Sequence, residues 1–228
     1  MHIGLIFAMQ EELDAFLSRN DEAKTHRHKN VRITEINAGE HTLFCVLSGV
    51  GKVNAAYATS VLIHHHDVKL IINSGVAGGL NVEVGTLVLS RAVVHHDVDV
   101  TAFGYEVGQI PGFKPTFLAD TALLQRAERI AKAQGLDVVT GLIASGDAFV
   151  TNLNTIEKLL GSYDDVHAIE MEAAAIAQVS TLEGVPFLII RAISDVIGKD
   201  AQVESFKAFL IKAAARSAAL LKALLEEQ

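Results

Sequence analysis

The chain alternates short, almost continuous apolar runs with longer stretches whose apolar residues recur at helical spacing. Residues 2–7 (His-Ile-Gly-Leu-Ile-Phe) form the first run and predict a buried strand. Leu13, Phe16 and Leu17 then sit three and four residues apart, which predicts a helix and leaves Glu11 and Glu12 in the strand-to-helix turn. Residues 30–37 and 41–47 predict two strands joined by a hairpin turn at Gly39-Glu40. A helix is expected from about Val53 to His66. Leu70-Ile71-Ile72-Asn73 predicts a central buried strand ending in a glycine-rich loop, Ser74-Gly75-Val76-Ala77-Gly78-Gly79, small enough to let a ligand approach the backbone. Residues 85–94 predict a further strand. Asp120 caps a helix from Thr121 to about Gln134, closed by Gly135, and residues 138–143 predict a strand that empties into the polar loop Ala144-Ser145-Gly146-Asp147-Ala148-Phe149-Val150.

The pattern breaks at His167-Ala168-Ile169-Glu170-Met171-Glu172, where two carboxylates enter an otherwise apolar stretch. If residues 169–172 are extended, Glu170 and Glu172 project to one side and Met171 to the other. The following Ala-rich run is strong helix sequence, and Glu172 lies near its N-terminus, where negative charge is favoured. Gly184 and Pro186 stop that helix. Phe187-Leu188-Ile189-Ile190 predicts a buried strand running out into Arg191-Ala192-Ile193-Ser194-Asp195. Charges seldom enter such surroundings without partners. Either the two glutamates cap the helix with Arg191 as their structural ion-pair partner, or all three belong to a functional site. The last helix opens at Asp200 or Gln202, with Phe206, Phe209, Leu210, Ala213, Leu220 and Leu221 on its buried side.

Strands and helices therefore alternate along one α/β domain spanning residues 1–228. In open α/β sheets ligands bind beyond the strand C-terminal ends. That edge should gather Glu12, the 75–79 loop, Phe149, Glu170, Glu172 and Asp195. The glycines of Ser48-Gly49-Val50-Gly51-Lys52 either cradle a phosphate or make a tight turn between strand and helix; the spacing does not match a P-loop. Consecutive histidines, His64-His65-His66 and His95-His96, do not share a helical face and show no metal-ligand spacing, so no metal is expected.

Composition narrows the class. A net charge of −8 with no basic run argues against nucleic acid as the main partner. The lone cysteine, Cys45, cannot form an internal disulfide and fits a reducing cytoplasm. No apolar run reaches the roughly 18 residues of a membrane span, and residues 1–7 lack the cationic leader of a signal peptide. A soluble, cytoplasmic protein is expected.

The motifs Ala8-Met9-x-Glu11-Glu12, Ser48-Gly49-Val50-Gly51-Lys52, Asn73-Ser74-Gly75-Val76-Ala77-Gly78-Gly79, His96-Asp97-Val98-Asp99-Val100-Thr101-Ala102-Phe103-Gly104-Tyr105, Ser145-Gly146-Asp147-Ala148-Phe149, Glu170-Met171-Glu172-Ala173 and Arg191-Ala192-Ile193-Ser194-Asp195 occur in one order over nearly the whole chain. In this the sequence closely resembles the 5′-methylthioadenosine/S-adenosylhomocysteine nucleosidases, of the purine nucleoside phosphorylase superfamily. The resemblance implies a three-layer sandwich, with a central mixed, twisted β-sheet flanked by helices. It also implies hydrolysis of the adenine–ribose N-glycosidic bond in methylthioadenosine, S-adenosylhomocysteine and 5′-deoxyadenosine, without metal or organic cofactor.

Adenine leaves badly as an anion, so the implied general acid, Asp195, protonates N7, which requires its pKa to be raised. Glu12 resembles the base that activates water, and Glu172 the residue that binds the ribose hydroxyls. Met171 packs on the sugar, with Glu170 and Arg191 contributing to ribose and water positioning. Phe149 stacks on adenine, the Val150 backbone reads the purine edge, and Ser194 orients Asp195. Val76, Ala77 and Gly78 contact substrate. Met9, Val50 and Phe206 match an apolar slot for the 5′ substituent. Val100, Phe103, Tyr105 and Pro111 resemble a loop contributed by a partner subunit, which implies a homodimer with composite sites.

The sequence departs from the family at Phe7, where Gly is frequent, at Gln10, where Glu is frequent, and across residues 112–119. Val76 stands where some relatives carry Ser near the attacking water, so water positioning here must rely more on Glu12 and Arg191. A phosphate-dependent phosphorylase on the same fold and a non-catalytic nucleoside-binding module are the alternatives. A carboxylate at the nucleophile position repels phosphate, and binding alone needs neither an acid nor a base.

Overall fold

A computed structural model describes residues 1–17 and 23–227. In chain order the elements are β1 (His2–Phe7), α1 (Gln10–Leu17), β2 (Lys24–His28), β3 (Val31–Ala38), β4 (His41–Leu47), α2 (Lys52–His66), β5 (Leu70–Gly79) and β6 (Leu87–His95). There follow β7 (Phe117–Leu118), α3 (Thr121–Ala133), β8 (Val138–Ser145), α4 (Glu157–Leu160), β9 (Val166–Glu170), α5 (Ala173–Leu182), β10 (Phe187–Val196) and α6 (Gln202–Glu226).

The strands make one mixed sheet. β1 pairs in parallel with β4 and β5, while β2, β3 and β4 form an antiparallel meander at one end. At the other end β5, β10, β6, β8 and β9 pair in succession, and β9 returns to β5, so five strands close on themselves. Closure removes exposed edges in that half. Helix α2 packs with α5 and also covers β1, whereas α6 packs with α1 and α3 and covers β5 and β10. The sheet therefore lies between helical layers, around a core of aliphatic side chains such as Leu5, Ile6, Ile72, Leu89, Ile143 and Ile189.

Several expectations are corrected. The presumed loop at residues 74–79 is the second half of β5, and residues 191–195 continue β10. Small residues there serve close packing inside a strand, since a Cβ at Gly75 would lie 2.5 Å from Glu12 Oε1 and 2.7 Å from Arg191 Nη1. Extension stops at Glu170, and Glu172 takes the N-cap position of α5. Of the two openings expected for α6, Gln202 is the first helical residue; it follows Ala201, which is left-handed at φ 58° and offers no side-chain cap. Phe209 is exposed, and Phe206 and Leu210 are half-buried; the buried stripe begins at Ala213 and runs through Ala214, Ser217, Ala218, Leu220, Leu221 and Leu224.

Candidate active site

The C-terminal ends of β1, β5, β9 and β10 converge on one cavity. Its lining includes Met9, Glu12, Val50, Val76, Ala77, Gly78, Phe149, Glu170, Met171, Glu172, Ser194, Asp195 and Phe206, together with Ala8 and Ile169. Arg191 lies behind this lining, 1% exposed. Val150 borders an adjoining recess with Gln202. None of Val100, Phe103, Tyr105 and Pro111 lines the cavity of its own chain. Phe103 is 80% exposed.

At one side Glu12, 3% exposed, is held by the backbone. Its Oε2 accepts from Ala8 N at 2.9 Å and Met9 N at 3.0 Å, and its Oε1 from Val76 N at 3.0 Å. Burial raises its pKa, while Arg191 and these three N–H groups pull it back part of the way. Arg191 Nη2 donates to Asn73 Oδ1 at 2.6 Å and to Glu170 Oε2, and stands 3.6 Å from Glu172 Oε2. Glu170 and Glu172 thus share one buried guanidinium, whose charge Glu12 also feels. Glu172 bears the consequence: burial and the neighbouring Glu170 charge push its pKa up to about 8 against the pull of Arg191.

Glu170 and Glu172 divide the two readings left open by their spacing. Glu170 accepts from Ser145 Oγ, from Glu172 N at 3.1 Å and from Ala173 N at 3.0 Å, closing the first turn of α5 as well as pairing with Arg191. Glu172 accepts from Gly51 N at 2.9 Å and turns its other oxygen toward Arg191.

Asp195, fully buried, owes its aim to an irregularity in the sheet. Along the β10–β5 pairing Ile193 faces Ala77 and Asp195 faces Gly78, so Ser194 is the extra residue of a bulge. Ser194 Oγ donates to Asp195 Oδ1 at 2.6 Å, and Gln202 Nε2 donates to Oδ2 at 2.8 Å. At the mouth Phe149 and Phe206 meet edge to face, 5.7 Å between centroids.

These features place the chain among known proteins. The phosphorylase superfamily model matches residues 2–226. A 5′-methylthioadenosine/S-adenosylhomocysteine nucleosidase of Bacillus thuringiensis (strain Al Hakam) is 42% identical over 230 residues, covering 100% of this chain and 99% of the relative. The chain belongs to the 5′-methylthioadenosine/S-adenosylhomocysteine nucleosidase family. Among solved structures, the family member from Neisseria meningitidis in complex with methylthio-immucillin-A is similar at TM-score 0.94 and 37% identity, over 100% of this chain and 99% of that one. Futalosine hydrolase of Helicobacter pylori strain 26695 reaches TM-score 0.94 at 31% identity, over 100% of this chain and 98% of that one.

In this nucleosidase-family chain the glycine turn before α2 is not a phosphate cradle. Gly51 N is taken by Glu172, and Lys52 N donates to Asp147 Oδ1 at 2.8 Å. Lys52 Nζ pairs with Asp97 Oδ1 at 2.6 Å. Gly51 adopts φ 100°, which serves the tight-turn reading. Sequence reasoning passed over Asn73, Ser145 and Gln202. Asn73 is buried at the end of an apolar run, bonding Ile6 O at 2.9 Å as well as Arg191; a polar residue in that position was the available signal. Nothing in the sequence marked Gln202 beyond opening a helix. Among the described residues no group of three or more His, Cys, Asp or Glu side chains is placed to hold a metal ion.

Proposed function

We propose that residues 1–228 act as one hydrolase unit cleaving the N-glycosidic bond of 5′-substituted adenine nucleosides, methylthioadenosine and S-adenosylhomocysteine among them. The observation that carries this is the presence in one cavity of two separately supported carboxylates, Glu12 and Asp195. A Cβ at Gly75 would approach Glu12 and one at Gly78 would lie 3.2 Å from Asp195 Oδ2.

Asp195 gives its proton to adenine N7 as the C1′–N9 bond breaks, and the bonding pair stays with the base, which departs neutral. Water attacks C1′, and Glu12 takes the water's proton. Glu172 accepts from the ribose hydroxyls, and its charge steadies the oxocarbenium-like sugar. Arg191 and Glu170 fix that arrangement from behind. Phe149 covers the adenine face, the Val150 backbone meets its edge from the adjoining recess, and Met9, Val50 and Phe206 enclose the 5′ group.

Phosphorolysis is disfavoured because the N–H groups of the glycine turn already serve carboxylates and Lys52 is paired. Adenine release from methylthioadenosine should therefore proceed in phosphate-free buffer and gain nothing from added phosphate. Release only on adding phosphate would replace the reading with a phosphorylase, and binding without release would replace it with a sensing module. Futalosine belongs in the same assay, since a futalosine hydrolase shares this fold at 31% identity.

A homodimer with composite sites accounts for Val100, Phe103, Tyr105 and Pro111, which lie outside their own chain's cavity while Phe103 stands 80% exposed. Sedimentation should report a dimer, and the mass of a single 24.4 kDa chain would remove this part of the reading. A cytoplasmic location rests on the single, buried Cys45. No helix among the described residues is long and apolar enough to cross a membrane.

A further inference from the structure

Gln202 is the first residue of α6 and is 6% exposed, whereas residues 203–209 are exposed or half-buried. Its side chain reaches inward to the base end of the cavity. Nε2 donates to Asp195 Oδ2 at 2.8 Å and to the Val150 carbonyl at 3.0 Å, and Oε1 accepts from Gly198 N at 3.2 Å. The orientation of the amide follows from these partners. Asp195 Oδ2 and Val150 O both accept, so the nitrogen must face them, and the backbone N–H of Gly198 fixes the oxygen on the other side.

One planar NH2 group therefore spends its two hydrogens on Asp195 and the Val150 carbonyl, which belong to the two groups assigned above to the base. The 6-amino group of adenine is also a planar NH2 with two hydrogens, set beside N7. We propose that Gln202 stands in for this 6-amino group and competes with it, so that an entering base displaces the carboxamide and a departing adenine is replaced by it. The proposal rests on the reading of Asp195 and Val150 as the groups that meet the base.

The first turn of α6 suits such an exchange. It carries no side-chain cap, and Ala201 before it is held at φ 58°, where a residue with a Cβ is strained. Beyond Gln202 the first two turns contribute nothing fully buried, so swinging this side chain outward disturbs little packing. Competition of this kind weakens binding of the released base and hastens its departure. It also softens discrimination at position 6. A base without the amine leaves the carboxamide able to stay on at least one acceptor, whereas adenine must remove it.

The test is calorimetric binding of adenine and of unsubstituted purine to the full chain, comparing wild type with Gln202→Ala and the similarly sized but donor-free Gln202→Met. Thermal unfolding of each variant is recorded alongside. Loss of the competing donor should tighten adenine binding about tenfold. Purine should gain nothing, so the preference for adenine over purine rises by about the same factor in both variants. Equal changes for the two bases, or weaker adenine binding in both variants, would overturn the proposal and make Gln202 a plain support for Asp195. Wild type that binds neither base would instead sink the underlying assignment of the adenine site, and this proposal with it.

Discussion

Asp195→Asn is expected to lower kcat for adenine release from methylthioadenosine by about 10²–10⁴-fold, the usual contribution of a positioned acid, with little change in KM. The substitution preserves volume in a position that is fully buried. It also preserves most of the local bonding. The amide oxygen can accept from Gln202 Nε2, and the Ser194 hydroxyl, now donating to Asp195 Oδ1, can rotate to accept from the new NH2. What disappears is a transferable proton, so adenine must leave as an anion. The diagnostic comparison is a substrate whose leaving group needs no proton, such as p-nitrophenyl 5-methylthioriboside. Its hydrolysis should fall far less in Asp195→Asn than adenine release does. Equal losses on both substrates would mean that the side chain shapes the site without acting as an acid.

The residues that were easiest to read in the sequence are those where one physical requirement dominates. The first strand, residues 2–7, is a continuous apolar run because β1 pairs on both sides and is buried. Asp195 stood out because burying a carboxyl demands partners, whereas Glu12, in a strand-to-helix turn, took its meaning from the family motif around it; the structure gives each its partners from separate elements. Small and polar residues misled where two requirements compete. Residues 74–79 carry the composition of a loop, yet they are strand. A side chain at Gly75 would collide with Glu12 and Arg191, and one at Gly78 would come within 2.9 Å of Ile197. Edge strand β2, Lys-Thr-His-Arg-His, has no apolar residue to betray it, because it pairs with β3 alone and is largely exposed. The paired glutamates show the limit of spacing as evidence. Two carboxylates two residues apart look equivalent, and both border the cavity, but only the fold tells Glu170, which accepts from the first N–H groups of α5 and pairs with Arg191, from Glu172, which accepts from Gly51 N. Gln202 was beyond reach, since its meaning lies in contacts with residues 195 and 150.

Glu12→Gln should cost a comparable factor, about 10²–10⁴ in kcat, while adenine still binds. The carboxylate accepts three backbone N–H groups through its two oxygens. A glutamine offers one accepting oxygen, so its NH2 must face either Val76 N or the pair from Ala8 and Met9, and it has no basic oxygen for the water's proton. The pH profile identifies the role more sharply than the rate. Burial raises the pKa of Glu12, and burial with the Glu170 charge raises that of Glu172 to about 8. Both work as anions in the proposed reaction, so kcat/KM should climb with pH along a two-proton limb lying above the ordinary carboxylate range. Falling pH protonates them and activity is lost. In Glu12→Gln one titrating group is gone, and the Glu12 charge that helps raise Glu172 is gone with it. The residual activity should therefore rise along a one-proton limb displaced to lower pH. A limb unchanged in both steepness and position would show that Glu12 does not take the proton, and the attacking water would need another base.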